Sequence, residues 1–501
     1  MPLPSVLKQT VMRTSIIFLV KAIGLAARIP LFRLLGSEGT GIYQIVYSIF
    51  GFALTLTVGG FPTSLALMTA KNAARGLQLF NRLVVPFLIL GVCSGSLHYA
   101  IAPYVAYYLG DSRLAFPIRC IAPALAVIPL LQLYRGYLQG IESYLQASVS
   151  ELVEQAVRAG TMLLLAVLWL KYGIHAAAGG AAFGAFTGGV AAVCFLSVLR
   201  YKNQEGSAIN AGKTSTLRWF VLGPEAFLFV KSSLAIMFTR LISPAADLLD
   251  ALIIPRRLQI AGLTHSGALA VYGEIFGMAS IIVYLPTIVT AALSYTVASK
   301  LSASWQSNKR KDFIERSNIC LEIGWLWGIS SAIILFFHAD ELSRLIFGNE
   351  VAAAAIRWMS FAPIIAGMRE LTTTILWTTD QKKGPFIGSL FGLACSVIAA
   401  YFLTAIPGFG YAGAAIGIFL FELVPLFWNA VVLRKQCKGA FSIGHLFKVS
   451  LFLVLIPFLH APLDAFLAHI GLASSALRSA VSLLFFTVNM VFYILYRFRK
   501  K

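Results

Sequence analysis

Charge is what this sequence has least of: only 12% of its 501 residues are charged, and acids number 20 against 40 lysines and arginines. Soluble domains carry about 25% charged residues. With 58% hydrophobic residues and a mean hydropathy of +0.81, a soluble globular fold is excluded. Cysteine is also scarce. The six residues Cys93, Cys120, Cys194, Cys320, Cys395 and Cys437 form no CxxC pair, so neither a zinc site nor a disulfide framework is expected. The seven histidines are dispersed, with no HExxH, and metal-assisted hydrolysis has no basis in the sequence. Hence no metal, cofactor or enzymatic activity is expected. No basic region with a short apolar stretch and a small-residue cleavage site stands apart at the start, so the first apolar segment is expected to stay as a helix.

Long apolar runs are what the chain has in their place. Runs of about 20 residues suit a bilayer-spanning helix, and about fourteen are present. They fall at about 13–34, 42–67, 79–107, 116–138, 152–172 and 176–199, then about 219–246, 270–298, 318–338, 352–377, 385–405 and 411–433, with a last pair at about 446–468 and 475–497. The expected fold is an all-α polytopic membrane protein. Its expected parts are an N-lobe of helices 1–6 over 1–205, a cytoplasmic linker at 206–218, a C-lobe of helices 7–12 over 219–437, and helices 13–14 in 438–501.

The basic residues fix an orientation. If the N-terminus is cytoplasmic, the inner loops collect Lys8 and Arg13, Lys71, Arg75 and Arg82, Arg200 and Lys202, Lys309 to Lys311, Lys382 and Lys383, Arg434 and Lys435, and the terminal Arg497 to Lys501. The outer connections hold mainly Arg113, Lys171, Arg256, Arg257, Arg344 and Arg478. This alternation is the positive-inside pattern. It places both termini in the cytoplasm and reads the net charge of +20 as membrane topology, with no nucleic acid partner.

An internal echo supports two lobes. Tyr43 to Lys71 and Tyr272 to Lys300 each run from a tyrosine through an apolar span with a Pro-Thr pair (Pro62-Thr63, Pro286-Thr287) to a lysine. A second echo joins YGIHAAAGGAAFG at Tyr172 to FGYAGAAIG at Phe409. Parallel repeats of this kind are a transporter design.

Within the spans, ionisable residues are the functional candidates, because a charge at a helix centre costs roughly 2.5–3.5 kcal/mol on insertion scales. Lys21 and Arg28 lie seven residues apart in the first span, nearly two turns, and share a helix face. They are candidates to line a cavity for an anionic, lipid-linked substrate, whereas Arg33 suits a helix-end cation that reaches the headgroups. Arg135 stands near Glu154 and Arg158, an i,i+4 acid–base pair, as a scaffold network or a gate. Lys231, Arg240, Asp247 and Asp250 punctuate the seventh span. Arg240 joins the candidate cavity cations. The DxxD spacing of Asp247 and Asp250 resembles a magnesium-binding pair, but a single pair fits an acid–base network or a cation-coupling site better than an enzyme. Glu225, Glu274, Glu322, Glu370 and Glu422 are further acids able to carry a proton if buried. AGKT at Ala211 lacks the upstream spacing of a phosphate loop and reads as linker.

Three stretches carry a family resemblance: KAIGLAARIPLFRLLGSEGTGIYQIVYSIFGFALTLTVGGFPTSLALMTAK from Lys21, LYRGYLQGIESYLQASVSELVEQAVR from Leu133, and YGEIFGMASIIVYLPTIVTAALS from Tyr272. They resemble the stage V sporulation protein B family of polysaccharide-biosynthesis membrane proteins. That family is related to lipid II flippases within the multidrug/oligosaccharidyl-lipid/polysaccharide exporter superfamily. Arg28 aligns with the arginine of the family's first helix, and Glu274 departs from a position expected to be uncharged. The resemblance implies lobe-against-lobe transport of an isoprenoid-diphosphate-linked saccharide, a peptidoglycan or polysaccharide precursor, across the bacterial inner membrane. H+ or Na+ is the expected coupling partner. Two alternatives remain: a cation-coupled multidrug exporter of the same superfamily, and a non-transporting scaffold for cell-wall or spore-cortex synthesis.

Overall fold

The computed structural model describes residues 5–205, 224–379 and 381–437, the helix at 475–499 and a few isolated positions between 438 and 474. The expected linker at 206–218, the AGKT stretch and most of the expected span at about 446–468 lie outside the described residues, as does the side chain of Glu225. Every regular element among the described residues is helical.

Helix α1 runs over Ser5–Val58. At 1.5 Å per residue its 54 residues are too long for one crossing of a hydrocarbon core of about 30 Å. The break comes at Gly36, whose φ of 64° and ψ of −170° are left-handed values that glycine adopts without a Cβ penalty. Two crossings result, as the apolar pattern predicts. Helix α2 (Phe61–Lys71) continues the second, followed by α3 (Ala73–Leu109), α4 (Ala115–Gly140), α5 (Tyr144–Trp169), α6 (Ile174–Glu205) and α7 (Pro224–Ile260).

Next come α8 (His265–Tyr272), a π-helical turn at Gly273–Ala279, α9 (Ser280–Val283), α10 (Thr287–Gln306) and α11 (Arg310–Phe337). Helices α12 (Ala339–Phe347) and α13 (Ala353–Met359) are short; α14 (Ala362–Thr378), α15 (Lys383–Leu403), α16 (Gly410–Gln436) and α17 (Ser475–Arg499) complete the chain. Nine helices among the described residues are long and apolar enough to cross a membrane, and the chain is a multi-pass membrane protein.

Glycines spaced by four set the hairpin packing. A Cβ built on Gly91 or Gly95 of α3 would come within 2.9 Å of backbone carbonyls of α4. One built on Gly184 or Gly188 of α6 would meet the carbonyls of Arg158 and Glu154 at 2.9 and 2.6 Å. In α15, Gly388 and Gly392 take the same role against Trp428 and Pro425 of α16. Lipid tails supply no hydrophobic drive between helices, so close approach over small residues is what holds such pairs.

The chain forms two compact units, residues 1–256 with 265–270, and residues 257–264 with 271–501. Helix α7, placed with the second lobe by the sequence reading, groups with the first unit as far as Arg256. The cause is local: Gly59 and Gly60, between α1 and α2, leave no room for a Cβ against Met237 and Ser233 of α7, and Phe61 packs on Phe229 with ring centroids 5.8 Å apart. The echoes have structural counterparts. Each Pro-Thr pair stands at a helix start after a break, and Gly173 and Gly408, with φ of 109° and 78°, each precede the helices α6 and α16.

Candidate functional site

The first unit brings two of the sequence-predicted groups together. On α4, Arg135 is 4% exposed. Its Nη1 donates to Glu154 Oε2 over 2.7 Å and its Nε to Ser150 Oγ over 2.9 Å. Arg158, one turn along α5, donates to the other carboxylate oxygen over 2.6 Å. One carboxylate thus serves two guanidinium groups, and both its oxygens are taken. Arg135 Nη2 and Arg158 Nε are buried without a hydrogen-bond partner, so the network keeps a net positive charge.

Helix α1, which carries Lys21 and Arg28, packs on α5 beside this network. Gly24 lies against α5, where an added Cβ would stand 3.0 Å from the Gln155 amide nitrogen. Arg28 follows one turn later and, with Arg158, acts electrostatically on the Tyr43 hydroxyl. Tyr43 is buried, donates to Met162 Sδ over 3.5 Å, and has its ring 4.5 Å from that of Tyr47. Lys21, Arg28 and Arg33 are exposed. Neither Lys21 nor Arg28 pairs with a carboxylate among the described residues. The grouping around Tyr43 and Tyr47 is a feature that sequence reasoning missed. Its signal was the YxxxY spacing of residues 43 and 47, which puts both rings on one helix face.

The α7 residues make no ion pair with this group among the described residues. Arg240 and Asp247 are exposed and Asp250 is buried. None of the three has an ion-pair partner among the described residues.

In the second unit, Glu274 sits buried in the π-helical turn and accepts a hydrogen bond from Tyr411. Single π-helical turns within α-helices occur frequently at functional sites. Two further acids of this unit are engaged: Glu422 pairs with Arg369, and Glu370 accepts from Thr290 Oγ1 over 3.3 Å. Asn429 bridges toward Thr373 at 2.9 Å.

A further polar cluster in the first unit has no counterpart among the expected sites. Asp111, between α3 and α4, accepts from Arg113 Nε and Nη2 over 3.0 and 2.9 Å and lies 3.0 Å from His175 Nε2 and 3.4 Å from His265 Nε2. Burial raises its carboxyl, but the hydrogen bonds from the Arg113 side chain and backbone, with the charge of His175, prevail and bring it down to about 2. Nearby, Ser266 Oγ donates to Glu38 Oε2 over 2.6 Å. The four residues Glu38, Asp111, His175 and His265 are far apart in sequence, which hid the cluster.

Comparison with known proteins agrees with this architecture. Stage V sporulation protein B of Bacillus subtilis (strain 168) is 28% identical over 429 residues, covering 82% of this chain and 81% of that protein. Lipid II flippase MurJ of the same organism is 20% identical over 456 residues, covering 85% and 82%. Among solved structures, lipid II flippase MurJ in an inward closed conformation superposes with a TM-score of 0.72 at 14% identity over 98% of this chain and all of that one. An inward-facing multidrug resistance MATE family transporter of the MOP superfamily gives 0.67 at 15% identity, covering 86% and 98%. The model of the polysaccharide biosynthesis protein family matches residues 6–294, from the first helix through the π-helical turn and into α10. With more than half of its length matched, this chain belongs to the polysaccharide biosynthesis protein family.

Proposed function

We propose that the chain moves an isoprenoid-diphosphate-linked saccharide across the bacterial cytoplasmic membrane, with both termini in the cytoplasm and without catalysing a reaction. The observation that carries this reading is the cationic surplus of the first unit. Two arginines share the single carboxylate of Glu154, and Lys21 and Arg28 approach on α1 without acids of their own. A guanidinium donates two parallel charge-assisted hydrogen bonds to a phosphate. Arg28, with Lys21 and Arg240, attracts the diphosphate, while Arg135, Glu154 and Arg158 stiffen the wall behind them. The tail stays in lipid, and rocking of one lobe against the other exposes the head to the opposite face. Asp247, Asp250 and Glu274 are the candidates for coupling to H+ or Na+. The names of two relatives, a sporulation protein and a lipid II flippase, support a wall precursor as the saccharide.

The likeness to a multidrug transporter favours a second reading, export of cationic drugs on the same fold. An anionic cavity would serve that substrate better than the cations Lys21 and Arg28 do. A third reading is a non-transporting scaffold for wall or cortex synthases.

Reconstitution in liposomes with a labelled undecaprenyl-diphosphate saccharide separates them. Protein-dependent movement that falls in Arg28→Ala is expected. No movement in any imposed ion gradient, together with normal cell function of Arg28→Ala, overturns the proposal.

A further inference from the structure

At the end of the first unit where α3 closes and α6 begins, an open cleft of about 500 Å³ is lined by Glu38, Arg113, Phe116, Tyr172, Ile174 and His175, with Gly173 and Ala176. Small-molecule sites occupy about 300–1,000 Å³. Helix direction places the cleft opposite the N-terminus of α1, because α1 turns back at Gly36, beside Glu38.

The cleft has a fixed donor. Asp111 anchors Arg113 through Nε and Nη2, yet the arginine side chain is 67% exposed. Three of the five guanidinium N–H groups therefore stay available in an orientation already set. Asp111 is itself held by His175 and flanked by His265, so the anchor is buried and rigid. Across the cleft, Glu38 spends Oε2 on Ser266 and keeps Oε1 as an acceptor.

The cleft also has aromatic walls. Tyr172 and Phe116 are 71% and 47% exposed. The Phe116 ring rests on Trp169 at 5.8 Å, and Lys171 Nζ sits 4.9 Å from the Tyr172 centroid. A Cβ built on Gly173 would meet nothing within 4 Å, which leaves the space beside Tyr172 open. Membrane-interface belts also expose aromatics, and Tyr104 and Tyr107 on α3 fit that description. Tyr172 and Phe116 differ because they line a cleft that also holds an oriented arginine and a carboxylate.

Flat apolar rings, a forked donor and a carboxylate acceptor match a pyranose: its C–H face covers an aromatic ring, its hydroxyls reach the carboxylate, and a carbonyl substituent meets the fork. We propose that this cleft is a saccharide subsite for a pyranose bearing an acetamido or carboxylate group. Its physiological ligand, the head of the transported lipid, rests on the function proposed above; the binding chemistry does not.

The test uses full-length protein in lipid nanodiscs, titrated with soluble N-acetylglucosamine, glucuronate and glucose and followed by saturation-transfer NMR. N-acetylglucosamine or glucuronate is expected to bind at least tenfold more tightly than glucose. Which of the two prevails tells an acetamido site from a carboxylate site. Tyr172→Ala is expected to weaken binding about tenfold, Tyr172→Phe to retain it, and Tyr104→Ala on α3 to leave it unchanged. Tyr172 is too exposed for its loss to unfold the protein, and unchanged thermal melting checks this. Equal affinity for glucose, no binding of any of the three sugars, or loss in Tyr104→Ala but not Tyr172→Ala overturns the assignment. If sugar binding persists while liposomes show no lipid movement, the transport reading falls and the cleft stands. Intact movement without sugar binding removes the cleft alone.

Discussion

Arg135 and Glu154 form a buried ion pair across α4 and α5, 2.7 Å between Nη1 and Oε2. Removing one partner from such a pair strands the other charge, at a cost of about 3–5 kcal/mol. Glu154→Ala strands two arginines, Arg135 and Arg158, and is expected to lower the melting temperature more than Arg158→Ala does. Arg158→Ala leaves Glu154 still paired with Arg135, so no buried charge is stranded. Melting in detergent for the two variants and the wild type checks the order, and equal shifts contradict it.

Gly136 and Gly140 should behave as contact residues and not as flexible ones. A Cβ on Gly136 would stand 2.5 Å from the Pro62 carbonyl oxygen, and one on Gly140 would be 2.8 Å from that of Ala66. Backbone cannot move aside as a side-chain tip can, so Gly136→Ala is expected to cost about 1–3 kcal/mol. Gly160→Ala, where nothing lies within 4 Å, is expected to be neutral or to gain up to about 1 kcal/mol, because alanine favours the helix over glycine. Comparable losses at both positions would mean that contact does not set the effect.

These two glycines also show what the sequence makes legible. RGYLQG is recognisable as a family stretch, but its reason, the seating of α4 on α2, needs a partner helix that no local pattern names. The crossings were readable because hydropathy acts over some twenty residues at once, and the pairing of Glu154 with Arg158 because i,i+4 neighbours touch on any helix. Arg135 reaches Glu154 from another helix, and Asp111, His175 and His265 come from one connection and the starts of two helices, α6 and α8. Contacts of that kind arise from tertiary packing. The break at Gly36 was anticipated by length alone, whereas the seating of α7 on Gly59 and Gly60 depends on where a missing Cβ leaves room.

Arg28 should matter to transport and hardly to folding. It is exposed and has no carboxylate partner among the described residues, so Arg28→Ala removes no buried pair. Transport in liposomes is expected to fall tenfold or more, equivalent to about 1.4 kcal/mol, with melting unchanged. Arg28→Lys keeps the charge without the fork and should fall between. Full activity in the lysine variant would mean that charge alone suffices.

Acid should weaken the Asp111 cluster. The folded carboxyl is lowered from 3.8 to about 2, so its contribution to stability is complete above the unfolded value and fades as pH falls from about 4 toward 2. Arg113, His175 and His265 all face it, and Glu38 stands close by. Asp111→Asn is expected to flatten the acid limb of melting temperature against pH while lowering stability at pH 7. An acid limb as steep in the variant as in the wild type contradicts this assignment.

Glu274 and Tyr411 offer a test of coupling in the second unit. The carboxylate is buried in a π-helical turn and accepts the tyrosine hydroxyl. Tyr411→Phe removes that donor and leaves the carboxylate in place. If Glu274 carries the coupling proton, Tyr411→Phe displaces the pH profile of transport, and Glu274→Gln abolishes the response to an imposed proton gradient while leaving movement of the substrate down its own gradient. A purely structural pair moves neither profile: both variants then melt earlier but transport with the wild-type dependence on pH. The two readings thus separate on the shape of the profile, which a loss of folded protein scales but does not shift.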